Sequence, residues 1–128
     1  MQNQPHVDPW YAATANRELD FPPLEGAAQA DVCVIGGGYT GLSTAIHLRR
    51  RGYTVTVLEA NRMGWGASGR NGGHVGTGQR EDQDQLENLV GLEHARALWK
   101  LGLEAVDTVC ELIAEHDIHC ELKHGNLH

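Results

Sequence analysis

Asp31-Val32-Cys33-Val34-Ile35-Gly36-Gly37-Gly38-Tyr39-Thr40-Gly41-Leu42 is the stretch whose reading decides the fold. Its first part is short, continuous and apolar, rich in β-branched residues, and stops at glycine. That composition predicts a strand buried on both faces, with Cys33 as a small buried hydrophobe inside it. From about Tyr39 to Arg51 the period lengthens to that of a helix, and Leu42, Ala45, Ile46 and Arg49 share one face, with Arg49 at its edge. Arg49, Arg50 and Arg51 stand in the last turn, where cations meet the negative end of the helix dipole, and Gly52 follows as a cap. Tyr53 to Leu58 then reads as a second buried strand, closed by Glu59. Strand, glycine turn, helix and strand in that order predict an α/β fold built on a Rossmann-like βαβ unit.

The glycines add a ligand to this reading. Gly36-x-Gly38-x-x-Gly41 alone is a weak signal. Here a strand precedes it, a helix follows, and Glu59 closes the next strand 18 residues past Gly41. Gly36 permits the sharp turn out of the strand. Gly38 lets the backbone approach a pyrophosphate with no Cβ in the way, and Gly41 lets the helix lie close to the sheet. Tyr39 and Thr40 open the helix, where free N–H groups and the positive dipole end favour phosphates. The Glu59 carboxylate, with Ala60 beside it, can accept both hydroxyls of an adenosine ribose. Its charge would repel a 2′-phosphate, which disfavours NADP. NAD and FAD present the same ADP half, so this fingerprint leaves both open.

Residues 60–80 form a second glycine-rich stretch with almost no apolar periodicity, and an idle loop of that length is uncommon in a compact domain. A plain NAD-binding domain would continue with further strand–helix units. Here the irregular run Asn61-Arg62-Met63-Gly64-Trp65-Gly66-Ala67-Ser68-Gly69-Arg70-Asn71-Gly72-Gly73 follows the ribose-binding position directly. Such a segment can wrap the second part of a long cofactor, with backbone amides for a pyrophosphate and close approach to a flat ring.

The pieces Val34 to Ser43, Val57 to Ala60 and Gly66 to Gly73 together resemble the D-amino-acid-oxidase-like family of FAD-dependent oxidoreductases. Within it, the arm Trp10-Tyr11-Ala12-Ala13-Thr14-Ala15-Asn16 is similar to that of the γ-glutamylputrescine oxidase subgroup. The resemblance implies FAD as cofactor and oxidation of a C–N bond in a small-molecule amine or amino acid. Electrons would pass to oxygen or another acceptor. It also implies that Ala67, Ser68, Arg70, Asn71, Gly72 and Gly73 line the pyrophosphate or flavin ring. Arg62 is read either on the adenosine side or on the surface. Relatives that tether the flavin through a histidine carry it in this segment. Arg70 stands at the corresponding position, which favours noncovalent FAD, and His74 is read as a hydrogen-bonded loop histidine. No catalytic residue is assigned, and enzymes of this kind are much longer than 128 residues.

The flanks complete the expected organisation. Residues 1–30 read as an extended arm punctuated by Pro5, Pro9, Pro22 and Pro23, with Trp10 and Tyr11 packing it onto the body. Residues 31–80 are the FAD-binding unit and its loop, and 81–128 a helical segment leading to a further domain. Glu81, Asp82 and Asp84 read as a solvated helix start. The helix runs to about His116, Gly91 divides it, and Leu92, Ala95, Trp99, Val106 and Ile113 supply its apolar stripe. Ile118 to Lys123 alternates with period two and predicts the first strand of a second sheet, turning at His124-Gly125-Asn126. An unpaired final strand makes the chain read as truncated.

Composition narrows the classes. A net charge of −7 argues against a nucleic-acid surface. Cys33, Cys110 and Cys120 are odd in number and form no CxxC pair, so neither a disulfide framework nor a zinc site is expected, and a reducing, cytoplasmic setting is. The irregularly spaced histidines do not read as metal ligands. Ser68 lacks a nucleophile-elbow pattern. The opening residues do not read as a signal peptide, and no apolar run is long enough to span a bilayer. The alternatives to an FAD enzyme are an NAD-linked dehydrogenase or reductase on the same fold, and a non-catalytic nucleotide-binding module.

Overall fold

The computed structural model describes residues 10–16 and 21–125, which fall into two units, Met1–Gly72 and Gly73–His128. In the first, α1 (Trp10–Ala13) precedes β1 (Val32–Ile35), α2 (Tyr39–Arg50), β2 (Val55–Leu58) and a 3-10 turn at Ala67–Gly69. β1 and β2 pair in parallel, with Val32 opposite Val55, Cys33 opposite Thr56, Val34 opposite Val57 and Ile35 opposite Leu58. Parallel neighbours cannot be joined by a tight hairpin, and α2 supplies the crossover.

Side chains secure the start of this pair. The Asp31 N–H donates to the Thr54 hydroxyl at 2.9 Å, while the Thr54 N–H and hydroxyl donate to Asp31 Oδ2 at 2.8 and 2.6 Å. The Thr54 hydroxyl, and then its N–H, hold the Asp31 carboxyl below the usual carboxylate range. At the other end, Gly36 N–H donates to the Leu58 carbonyl at 2.7 Å, and the chain leaves β1 with Gly36 at φ +106°, the left-handed side that glycine tolerates. Beyond α2, Gly52 N–H donates to the Arg49 carbonyl and sits at φ +90°, the capping role expected of it.

The strands are less buried than the sequence predicts. In β1 Val32 and Val34 are half-buried, while Cys33 is exposed and Ile35 is 87% exposed. β2 is half-buried along its length. An apolar run fixes a strand's hunger for cover but not whether a layer is present. α2 packs on both strands, centred on buried Ala45, and the other face of β1 lies open among the described residues. Cys33 is therefore an exposed thiol rather than a core residue.

The arm also departs from an extended form. Trp10–Ala13 makes one helical turn, Tyr11 donates its hydroxyl to the Gly72 carbonyl at 2.8 Å, and Trp10 stays 75% exposed instead of packing. Pro5 and Pro9 lie outside the described residues, and Pro22 and Pro23 stand in irregular chain.

The second unit is built on α3 (Gln83–Glu115), broken at Gly91, whose φ of 80° and ψ of 159° are open only to glycine. This is the division the sequence predicts. Of the expected stripe, Ala95 is fully buried and Val106 and Ile113 half-buried, whereas Leu92 and Trp99 are exposed. Residues ahead of α3 run along it: a Cβ on buried Gly102 would strike the Thr77 carbonyl oxygen, and Gln79 Nε2 donates to the Leu98 carbonyl at 3.3 Å. The strand expected at 118–123 is not formed. Ile118 N–H caps the helix through the Ile113 carbonyl, Cys120 N–H turns back to the Ile118 carbonyl, and Glu121 takes φ +53°. Alternation alone makes no strand where no partner edge is offered. The hairpin turn expected next extends to Asn126, outside the described residues, and an unpaired last strand is no longer a sign of truncation.

Candidate functional site

The glycine turn after β1 and the segment after β2 fold onto each other. Glu59, at the end of β2, reaches the turn directly: its Oε2 accepts the Gly37 N–H at 2.7 Å and its Oε1 the Asn61 N–H at 3.1 Å. These two donors, Gly37 first, lower the Glu59 pKa against an opposing effect of partial burial. A carboxylate offers about four acceptor positions, so capacity remains for further donors. The Gly37 carbonyl in turn accepts the Gly64 N–H at 2.9 Å.

A Cβ on Gly36 would meet nothing within 4 Å, and the other three glycines of the turn each meet a different neighbour. A Cβ on Gly41 would run into the Gly36 carbonyl oxygen and lie 3.3 Å from Val34, so the helix can pack this close to the strand only through glycine. A Cβ on Gly38 would come within 2.9 Å of the Ser68 hydroxyl oxygen. Gly37, which the fingerprint leaves as a free position, is buried, and a Cβ there would collide with the Met63 sulfur and lie 3.3 Å from Glu59. Sequence reasoning missed Gly37, Met63 and Gly64. The unbroken triple glycine was the signal, because a middle position with room for a side chain has no need of glycine.

The second segment is held over the helix start. Tyr39 N–H donates to the Ser68 hydroxyl at 3.0 Å, and Asn71 Nδ2 donates to the Tyr39 hydroxyl at 3.0 Å. Arg70 donates through Nε to the Trp65 carbonyl at 2.8 Å, and its guanidinium lies 4.3 Å from the Trp65 ring centroid. The N–H groups of Gly38, Thr40 and Gly41 have no partner among the described residues, and the N-cap residue Gly38 offers no side chain to cap them. Three amides therefore face outward at the positive end of a helix of twelve residues.

The remaining predicted positions lie around this cluster or apart from it. Ala60 and Arg62 are exposed just past β2, with the Arg62 carbonyl accepting the Trp65 N–H at 3.0 Å. Ala67 opens the 3-10 turn and accepts the Asn71 side chain at 3.2 Å. The Gly72 carbonyl is taken by Tyr11, and Gly73, at φ +68°, begins the second unit.

A parallel βαβ unit whose acidic strand end meets its glycine turn defines a dinucleotide-binding class of protein. Residues 31–128 match the family described as FAD dependent oxidoreductase (DAO), and the chain belongs to that family. Its cofactor is FAD, and the NAD-linked alternative gives way to it. Among curated relatives, γ-glutamylputrescine oxidoreductase of Escherichia coli strain K12 is 43% identical over 122 residues, which are 95% of this chain and 29% of that protein. A probable oxidoreductase OrdL of Rhizobium meliloti strain 1021 is 46% identical over 92% of this chain and 28% of its own length. The corresponding Haemophilus influenzae protein is 43% identical over 95% and 28%. The chain thus spans under a third of the length of these relatives. No solved structure matches it significantly. Among the described residues no helix is long and apolar enough to cross a membrane.

Proposed function

We propose that this chain forms the FAD-binding portion of an oxidoreductase that oxidises a C–N bond of an amine or amino acid, with γ-glutamylputrescine as the first substrate to try. The observation that carries the cofactor half is the contact of the Glu59 carboxylate with the Gly37 N–H, which sets an acidic group and three open amides on one turn. The substrate half rests on the likeness to γ-glutamylputrescine oxidoreductase.

The residues present fit the ADP half of FAD. The amides of Gly38, Thr40 and Gly41 would bind the diphosphate, since they are unpartnered donors at a helix N-terminus. Glu59 would accept the ribose hydroxyls on its remaining lone pairs, already oriented by Gly37 and Asn61. Arg70, held by Trp65, adds fixed positive charge beside the anionic diphosphate. Ala60 and Arg62 border the ribose side, and Ala67, Ser68, Asn71, Gly72 and Gly73 belong to the segment that covers the cofactor. Bound FAD supplies a two-electron acceptor for the carbon next to an amine nitrogen. The family resemblance sets Arg70 where tethering relatives carry their histidine, which supports noncovalent binding. The electron acceptor is oxygen or another small oxidant, and the odd number of cysteines with no CxxC pair supports a cytoplasmic setting.

The test begins with the protein carrying this chain, stripped of flavin and titrated with FAD and NAD. Quenching of flavin fluorescence on binding, with no response to NAD, is the expected result. Peroxide release across a panel of amines and amino acids then identifies the substrate. FAD binding without turnover of any member, by oxygen or by an artificial acceptor, would reduce the chain to a non-catalytic nucleotide-binding module.

A further inference from the structure

Asn71 stands where the two glycine-rich segments join. Its side-chain amide donates to the Tyr39 hydroxyl at 3.0 Å, to the Ser68 carbonyl at 2.9 Å and to the Ala67 carbonyl at 3.2 Å. One acceptor lies on the first turn of α2 and two on the 3-10 turn that carries Ser68. Beside this bridge the Ser68 hydroxyl oxygen accepts the Tyr39 N–H at 3.0 Å. A hydroxyl that accepts from an amide keeps its own proton to donate, and no acceptor for it stands among the described residues. The amide it caps lies at the positive end of α2, which polarises the hydroxyl into a stronger donor. The hydroxyl also sits over the face that Gly38 leaves open, 2.9 Å from where a Cβ would be.

We propose that Asn71 is a positioning residue: by bridging Tyr39 to the carbonyls of Ala67 and Ser68, it fixes the Ser68 hydroxyl as an additional donor to the diphosphate of FAD. The proposal rests on the function proposed above and deepens it. The 3-10 turn spans three residues and its own backbone bonds are long, 3.2 Å from Gly69 N–H to Gly66 and from Arg70 N–H to Ala67. Such a segment would otherwise lose conformational freedom when the ligand binds. Ordering it beforehand removes that loss from the binding step.

The experiment compares FAD affinity and release, followed by flavin fluorescence, in the wild type, Asn71→Ala, Ser68→Ala, their double variant and Tyr39→Phe. Thermal unfolding of each flavin-free protein is measured alongside. Asn71→Ala and Ser68→Ala should each weaken FAD by about three- to tenfold. The double variant should bind no more weakly than Ser68→Ala, because Asn71 acts through Ser68. Tyr39→Phe, which removes one hydroxyl, should release FAD faster without changing the flavin-free melting temperature, and it carries the test should Asn71→Ala not fold. Single effects that multiply in the double variant would overturn the proposal, as would Tyr39→Phe binding FAD like the wild type. A wild type that binds no FAD would overturn this inference together with the function. A wild type that binds while the variants match it overturns this inference alone.

Discussion

Glu59 ties the site to the stability of the chain. Its carboxyl is held below the ordinary range because the Gly37 and Asn61 amides favour the ionised form, and Asp31 is lowered likewise by Thr54. A carboxyl with a lowered folded pKa adds stability that is complete above its unfolded value and is lost as pH falls through the folded one. The melting temperature should therefore hold at neutral pH and decline through the acid carboxylate range, and Glu59→Gln should remove part of that decline. The same variant should weaken FAD by about 10- to 100-fold, the usual effect of losing hydrogen bonds to a charged group; unchanged affinity by titration would place the ribose elsewhere. The turn glycines separate two kinds of damage. Gly41→Ala forces a Cβ into the Gly36 carbonyl, so helix and strand must part, at about 1–3 kcal/mol in denaturant unfolding. Gly37→Ala meets the flexible end of Met63, which can swing away, but it also presses on Glu59. It should fold near normally and bind FAD poorly, so equal melting losses in both variants would contradict this contrast.

The elements divide by how local their causes are. β1, α2, β2, the Gly52 cap and the break at Gly91 were legible, because each depends on a period or a backbone angle within a few residues. The strand expected at 118–123 was not, since alternation records a preference for pairing and not the presence of a partner. Burial of Cys33 and Ile35 was misread for the same reason: it depends on a covering layer. In the site, the Glu59 end of the contact was legible from spacing. The Gly64–Gly37 and Ser68–Tyr39 bonds join two loops with no periodicity to connect them. Gly102 carried no signal either, being one small residue in a long helix, yet it admits the Thr77 carbonyl. Gly102→Ala should push the 73–80 stretch off α3, seen as faster proteolysis of that stretch with helical content retained; unchanged cleavage would deny the contact any holding role.

At the scale of the whole chain, apolar surface is the dominant fact. Among the described residues Ala45 and Ala95 are the buried apolar residues, while Ile35, Trp10 and Leu89 are each at least 72% exposed. With two small alanines buried and the strands only half-covered, the described residues bury too little apolar area to offset their conformational entropy. These 128 residues by themselves should bind a hydrophobic dye strongly and melt over a broad range, and a sharp transition without dye binding would show that the exposed faces find cover. The Asp31–Thr54 clamp bears on how the chain reaches this state. Its partners are separated by the entire crossover helix, so they meet only after α2 has brought β2 alongside β1. A bond made that late belongs to the native side of the kinetic barrier. Asp31→Asn should therefore quicken the escape from the native state and leave the speed of its formation almost untouched.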